Sequence, residues 1–209
     1  VVEEARISDK PFTLDRGKLY LANSLLNVDI VLRNQESNKP LEVYGKVPLL
    51  ASLPVDLRVR GHGDSLRFLD GFTEGKVDWQ SGNADLNLLI QGTLETPKVN
   101  GFLVLRNSDF VINKKLVKDV NSTIVFDFNR LEVLNLDAQL EEEGSISGSG
   151  AVKLFRAERE EEEPLSFEVE GFSLKSSFAD VEIASNLIVN GTLLQPLIGG
   201  DVTVNKGSL

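Results

Sequence analysis

The composition is that of an acidic globular protein. The chain has 209 residues, of which 41% are hydrophobic and 26% charged, and its formal net charge is -10. This charge excludes nucleic acid as a partner, because phosphate binding needs a basic surface, and it also argues against docking on anionic lipid headgroups. The absence of cysteine excludes disulfides, thiolate metal sites and a cysteine nucleophile.

The chain reads as part of a longer protein. It opens at Val1 in a strand-like pattern and contains no methionine. No apolar run reaches the roughly 18 residues that a membrane-spanning helix needs, so we expect any membrane anchor of the full-length protein to lie outside this segment.

Alternating apolar and polar residues dominate the chain and predict strands with one apolar face. In the run 26–32, for example, Leu26, Val28 and Ile30 share one face. One short helical element of one or two turns is predicted near 64–72, where Asp64 can cap and Leu66, Leu69 and Phe72 line one side. The predicted strands are 26–32, 41–47, 55–61, 86–94, 99–105, 123–128, 146–154, 165–171, 181–183, 187–193 and 198–204.

A repeated strand–turn–strand unit is the second organising feature. The segment Gly92-Thr93-Leu94, followed by Pro97 and Gly101, returns 99 residues later as Gly191-Thr192-Leu193, followed by Pro196 and Gly200. Proline removes a backbone donor and ends the strand pairing. We expect approximate repeat units at 1–85, 86–185 and 186–209.

The glycines of the strands share the parity of the apolar side chains. Glycine there permits sharp curling of the sheet, and it also leaves volume that an apolar ligand can fill. The alternative interpretation is that these glycines only bend strands in an ordinary sandwich. The glycines of this face are Gly45, Gly61, Gly92, Gly101, Gly148, Gly150, Gly171, Gly191 and Gly200.

Motifs for catalysis are missing from the sequence. The single histidine, His62, lies between two glycines and reads as a loop residue. Glu141–Glu143 reads as a turn, and Glu158–Glu163 as a solvated loop without the spacing of a calcium site. No catalytic residue, metal site or cofactor is predicted, so an enzyme is not expected.

The order of these units resembles the C-terminal β-repeat region of the TamB family, within the AsmA-like group. Residues 86–155 carry the resemblance: the Gly92 unit, Asn107-Ser108-Asp109-Phe110 at a strand end, then the strands at Thr123–Phe128, Leu131–Val133 and Gly144–Leu154. The second copy begins at 186, and the Glu158–Glu163 loop departs from a compact repeat.

The resemblance implies an all-β fold: an elongated, strongly curled and mainly antiparallel sheet, shaped as a half-pipe or open barrel with an apolar concave interior. It also implies a long protein anchored in the inner membrane, which crosses the periplasm or the equivalent space of a plastid envelope. Its expected partners are phospholipid or another acyl-chain ligand, and an Omp85-type outer-membrane protein with nascent outer-membrane proteins.

Two functions are compatible with this pattern. The first is a groove that shelters acyl chains or nascent outer-membrane β-strands during outer-membrane biogenesis. The second is a rigid, adhesin-like β-scaffold with a closed core, which binds protein partners through its edges. Under the first function we expect the groove to be lined by Leu88, Ile90, Leu94, Val99, Leu103, Leu105, Ile124, Phe126, Phe128, Val152 and Leu154.

Overall fold

The computed structural model describes residues 5–7, 10–34, 39–68, 73, 75–140, 144–155, 163–175 and 180–208. The predictions for Leu69, Phe72, Glu141–Glu143 and residues 158–162 lie outside these ranges. One short 3-10 helix, Ser65–Phe68, accompanies the strands. The strands are β1 (Ala5–Ile7), β2 (Lys10–Ala22), β3 (Leu25–Asn34), β4 (Leu41–Pro48), β5 (Pro54–Gly63), β6 (Val77–Thr93), β7 (Pro97–Ile112), β8 (Lys115–Phe128), β9 (Arg130–Leu140), β10 (Ser145–Lys153), β11 (Leu165–Lys175), β12 (Asp180–Thr192) and β13 (Gln195–Ser208).

The strands form one 13-stranded sheet in which each strand pairs with the next along the chain, always antiparallel. The sheet does not close on itself. The all-β prediction of a curled, mainly antiparallel sheet is therefore confirmed. One extra contact joins β10 to β12, where Leu193 N–H donates to the Lys153 carbonyl at 2.7 Å.

The strands are longer than the sequence predicted. The predicted runs 181–183 and 187–193 belong to the single strand β12, and β2 was not predicted at all. Asn107–Phe110 was interpreted as a strand end, but β7 continues to Ile112. His62 was interpreted as a loop residue, which is wrong, because it lies in β5 and its Nδ1 is 2.9 Å from Asp85 Oδ1 on β6.

A transverse line of β-bulges crosses β6, β7 and β8. The pairing register shifts on both sides of Ser81, between Leu105 and Phe110, and between Lys118 and Asn121. Asp109 joins the three strands at this line: it accepts hydrogen bonds from Ser81 Oγ at 2.7 Å and from the Asp119 backbone N–H at 3.0 Å. Because a bulge bends its strand and increases the local twist, we expect the sheet to bend along this line.

The repeated unit has the same turn geometry in both copies. Thr93 Oγ1 accepts a hydrogen bond from Thr96 N–H, and Thr192 Oγ1 accepts one from Gln195 N–H, each at 3.1 Å. The preceding glycines also match, with φ of 87° at Gly92 and 79° at Gly191. The two sequence copies therefore fold as the same hairpin turn.

Two apolar clusters form the core, both on one face of the sheet. The first lies by the bulge line, where Trp79 is 2% exposed and meets Phe110 edge-on at 5.0 Å between ring centroids. Leu66 of the 3-10 helix packs into this cluster. The second cluster joins β7, β9, β10 and β11, and its buried members are Val99, Leu131, Val133, Val152, Leu154 and Leu165.

Candidate functional site: the apolar face of the sheet

The candidate site is the apolar face that carries the two clusters. Side chains alternate across a strand, so each strand contributes every second residue to this face until a bulge shifts the parity. Cross-strand pairs then form continuous rows, such as Val43–Val59–Leu88 and Ile90–Val99. The result is an apolar surface that runs across the sheet without a charged side chain in these rows.

The opposite face is polar and charged. Arg16 Nε lies 2.8 Å from Asp29 Oδ1 on the neighbouring strand, and the Tyr44 ring lies between Arg58 and Arg60, at 5.9 and 5.5 Å from its centroid. A shallow pocket of about 380 Å³ on this face is lined mainly by polar groups, including Asp137, Ser147, Ser149 and Glu168. The two apolar clusters therefore lie on one face, and the charged and polar contacts described here lie on the other.

Most of the predicted groove residues lie together on the apolar face. Leu103 and Leu105 belong to the first cluster, Ile90, Val99, Ile124, Phe126, Val152 and Leu154 to the second, and Leu88 touches both. Within this set, Val152 and Leu154 are buried, whereas Leu88, Ile90, Leu103, Ile124 and Phe126 keep part of their surface exposed. Leu94 and Phe128 belong to neither cluster and are 49% and 54% exposed, beside the turns.

The glycines of this face do not leave gaps at their own positions. At Gly45, Gly101 and Gly200 an added Cβ would come within 2.0 Å or less of the carbonyl oxygen of the neighbouring strand. These glycines have φ near +140°, a backbone conformation that side chains with a Cβ rarely adopt. At these three positions the partner backbone occupies the place of a Cβ, so the close approach of the strands requires glycine there.

The other predicted glycines have local reasons of their own. Gly61 lies beside Ser65 of the 3-10 helix, and Gly148 lies beside the Phe167 ring. Gly150 and Gly171 have positive φ at irregular pairings of β10 and β11. Close approach of backbone to backbone, or to a neighbouring side chain, thus explains the parity that the sequence showed.

The sequence did not identify two parts of this surface. One is Trp79, which is the largest fully buried side chain of the described chain. The packing of the 3-10 helix onto the apolar face was also not predicted. The apolar residues Leu66, Val77 and Trp79 were the only signal of this packing in the sequence. Alternation alone does not show which segments fold over the sheet.

Metal-binding groups are not assembled in the described part of the chain. No set of three or more His, Asp or Glu side chains is placed there to hold a metal ion. Within the same residues, no helix has the length and apolarity required to cross a bilayer. The side chains that the two clusters place on this face are suited to apolar contact.

Comparison with known proteins agrees with this architecture. Residues 132–209 match the family model of the TamB C-terminal domain. Over 134 residues, or 63% of the chain, the sequence is 23% identical to "Protein TIC236, chloroplastic" of Arabidopsis thaliana, and the match covers 6% of that relative's length. No solved structure matches the chain. The predicted resemblance to the TamB family is thus confirmed, with the family match lying in residues 132–209.

Proposed function

We propose that this chain is a segment of a long envelope protein of outer-membrane biogenesis, and that its apolar face carries lipid acyl chains between membranes. The observation that carries the proposal is the continuous apolar face, in which Leu88, Ile90 and Phe126 are only half-buried. The TamB match and the chloroplastic relative support an envelope setting, in the periplasm or the equivalent plastid space.

Apolar contact alone is sufficient to hold such a ligand. Burying one methylene group is worth about 0.8 kcal/mol, so a chain that lies against several half-buried side chains needs no polar site. The full-length protein would present many such segments in series, because this chain matches only 6% of the relative's length. An Omp85-type partner and nascent outer-membrane proteins belong to the same proposed setting.

The test replaces a half-buried side chain on the apolar face with a charge. Phe126→Asp places a carboxylate in the path of the acyl chain and is expected to reduce bound lipid several-fold. The matched control is Val125→Asp, the adjacent residue on the polar face of the same strand, which leaves binding unchanged. Bound phospholipid is measured by mass spectrometry of organic extracts after incubation with phosphatidylcholine vesicles.

Circular dichroism first establishes that both variants keep the strand spectrum. Undiminished lipid in a folded Phe126→Asp protein rejects the groove. Absence of lipid from the unmodified protein rejects it as well.

A second candidate function is a β-scaffold that receives partner strands at an edge. The observation that favours it is β13, whose outer side pairs with no strand of the described chain and whose Ile198, Val202 and Val204 are 60–67% exposed. Charged residues on an edge strand oppose strand addition. Val202→Lys with Val204→Lys should therefore abolish capture of a β-strand client and leave lipid binding intact.

A further inference from the structure

The antiparallel meander places the turns at two opposite ends of the strands. Because every strand is antiparallel to the next, the connections after β2, β4, β6, β8, β10 and β12 lie at one end of the strands. We call this end the even rim. The connections after β1, β3, β5, β7, β9 and β11 lie at the other end, the odd rim. In a curled sheet these rims are the two lips of the groove.

The even rim exposes large apolar side chains at the turns after β2, β4, β6, β8 and β12. Most of them are leucines at or beside the turn, and each is about half exposed or more. Neighbouring turns on one rim are two strands apart, or about 10 Å, so the side chains form a long interrupted strip. They are Tyr20 and Leu21 at 60%, Leu49 at 59%, Leu50 at 55%, Leu94 at 49%, Phe128 at 54%, Leu193 at 49% and Leu194 at 71%.

The odd rim is different wherever the structure describes it. Ile112, at 39%, is the one exposed large apolar side chain there among the described residues. Exposed Asn113, Lys114 and Lys115 follow it directly. At the connection between β5 and β6, the 3-10 helix covers the apolar face and buries Leu66 at 6% exposure. Among the described residues of the two rims, exposed large apolar side chains therefore lie mainly on the even rim.

The apolar rows of the interior continue onto the even rim. Leu94 extends the row of Leu88 and Ile90 through Gly92. Phe128 follows Ile124 and Phe126 at the end of β8, where its ring centroid lies 5.6 Å from Lys98 Nζ. Leu193 similarly follows Val189 through Gly191. An apolar ligand that moves from the even rim into the groove thus keeps apolar contact along its path.

We propose that the acyl chains of a diacyl lipid enter and leave the groove sideways, over the even rim. This inference rests on the proposed lipid-carrying function and adds the route of access. Exposed apolar surface of this extent is unusual in a soluble protein and marks a site of contact. The occupant must be apolar and must need no hydrogen bonds, because the rim presents side chains of closed turns and not an open strand edge.

Chemistry distinguishes an acyl chain from the other candidates. A client β-strand needs unpaired backbone groups, and these lie at the sheet edge β13, not at the turns. An anionic membrane surface is disfavoured by the net charge of -10. An acyl chain matches the leucines directly, while its headgroup stays in water outside the rim.

The first experiment compares the two rims by the rate of lipid uptake. Leu193→Asp combined with Leu194→Asp charges the even rim, and both positions are exposed, so folding is not threatened. Ile112→Asp charges the odd rim as the control. Uptake of a fluorescent phosphatidylcholine from phosphatidylcholine vesicles is followed in time. We expect the even-rim variant to slow uptake about tenfold, equivalent to losing about 1.4 kcal/mol of apolar contact, with an unchanged amount bound at equilibrium.

Each outcome of this experiment has a definite meaning. Equal uptake rates for the even-rim variant and the unmodified protein overturn the access route while the lipid-carrying function stands. Slower uptake in Ile112→Asp overturns it as well, because the route then lies at the other rim. If the unmodified protein takes up no lipid, the proposed function fails, and the access route fails with it.

A second measurement uses the absence of cysteine from the chain. A single cysteine at position 94 or 112 carries a fluorescent label, and phosphatidylcholine with a nitroxide on its acyl chain serves as the quencher. Quenching at 94 and not at 112 is expected, and the reverse order overturns the proposal.

Sedimentation of the unlabelled protein tests whether a second copy of the chain covers the rim instead. A dimer that dissociates in the even-rim variant, with uptake unaffected, would make the rim an interface between two copies.

Discussion

At the scale of single residues, sequence parity assigns the glycines to the apolar face but does not give the reason for glycine there. Parity placed Gly101 and Gly200 on the apolar face, but two interpretations of that position, a gap or a bend, remained open. The backbone path decides between them, because a Cβ at Gly101 would lie 1.9 Å from the Asn87 carbonyl oxygen. Only glycine allows the two strands to approach each other so closely there.

Gly101→Ala is therefore expected to destabilise the fold by about 2–4 kcal/mol, from positive-φ strain and from the steric overlap. The free energy of unfolding in urea measures the effect. Gly199→Ala is the control, since a Cβ at Gly199 meets no atom within 4 Å, and its stability should change by less than about 0.5 kcal/mol. Equal unfolding midpoints for the two variants would contradict this explanation.

At the scale of strands and turns, the bulge line explains why the strands were predicted too short. In β7 the residues on the apolar side are Leu105, Ser108 and Phe110, so the alternation that identifies a strand is broken at the bulge. Two residues oppose one at such a site, and the sequence then resembles the end of a strand. Asn107 and Asp119 also take left-handed backbone conformations, with φ of 44° and 51°.

Asp109→Ala tests the role of this line, because it removes the acceptor for both Ser81 Oγ and the Asp119 N–H. Hydrogen bonds to a charged group contribute about 1.5–3 kcal/mol, and a loss of stability of that size is expected. Asp109→Asn keeps one acceptor oxygen and should lose less. Asp127→Ala, which removes the same charge from an exposed position of β8, should have little effect on the urea midpoint. A loss in Asp127→Ala equal to that in Asp109→Ala would show that charge, and not the bulge contact, is responsible.

At the scale of the whole molecule, stability is expected to fall from the centre of the sheet to its edge. The central strands β6, β7 and β8 pair on both sides and carry the first cluster, whereas β13 pairs only with β12 in the described chain. Its side chains from Gln195 to Asn205 are exposed. Local opening requires less free energy where fewer contacts are lost.

Hydrogen–deuterium exchange followed by mass spectrometry measures this gradient. Peptides from β7 should exchange slowest and peptides from β13 at least about tenfold faster. Incubation with lipid should slow exchange near the even rim and leave β13 unchanged. A β13 as protected as β7 would mean that its outer edge is covered, for instance by pairing with a second copy.

The sequence by itself determined the strand class of the protein, the apolar face of the strands that it predicted, and the equivalence of the Gly92 and Gly191 turns. These features are local: alternation with period two, glycine with positive φ, and proline after a turn act within a few residues. The same local information supported the resemblance to the TamB family.

Only the tertiary structure decided where the sheet curls, what lies beside the glycines and which ends of the strands expose leucine. Leu94 and Leu154 have similar sequence surroundings, each two residues beyond an apolar-face position, yet Leu94 is 49% exposed and Leu154 is 4% exposed. Leu154 meets the side chains of the second cluster, while Leu94 extends past the last paired residues at a turn. Exposure depends on what the neighbouring strands place next to a residue, and a one-dimensional pattern does not contain that information.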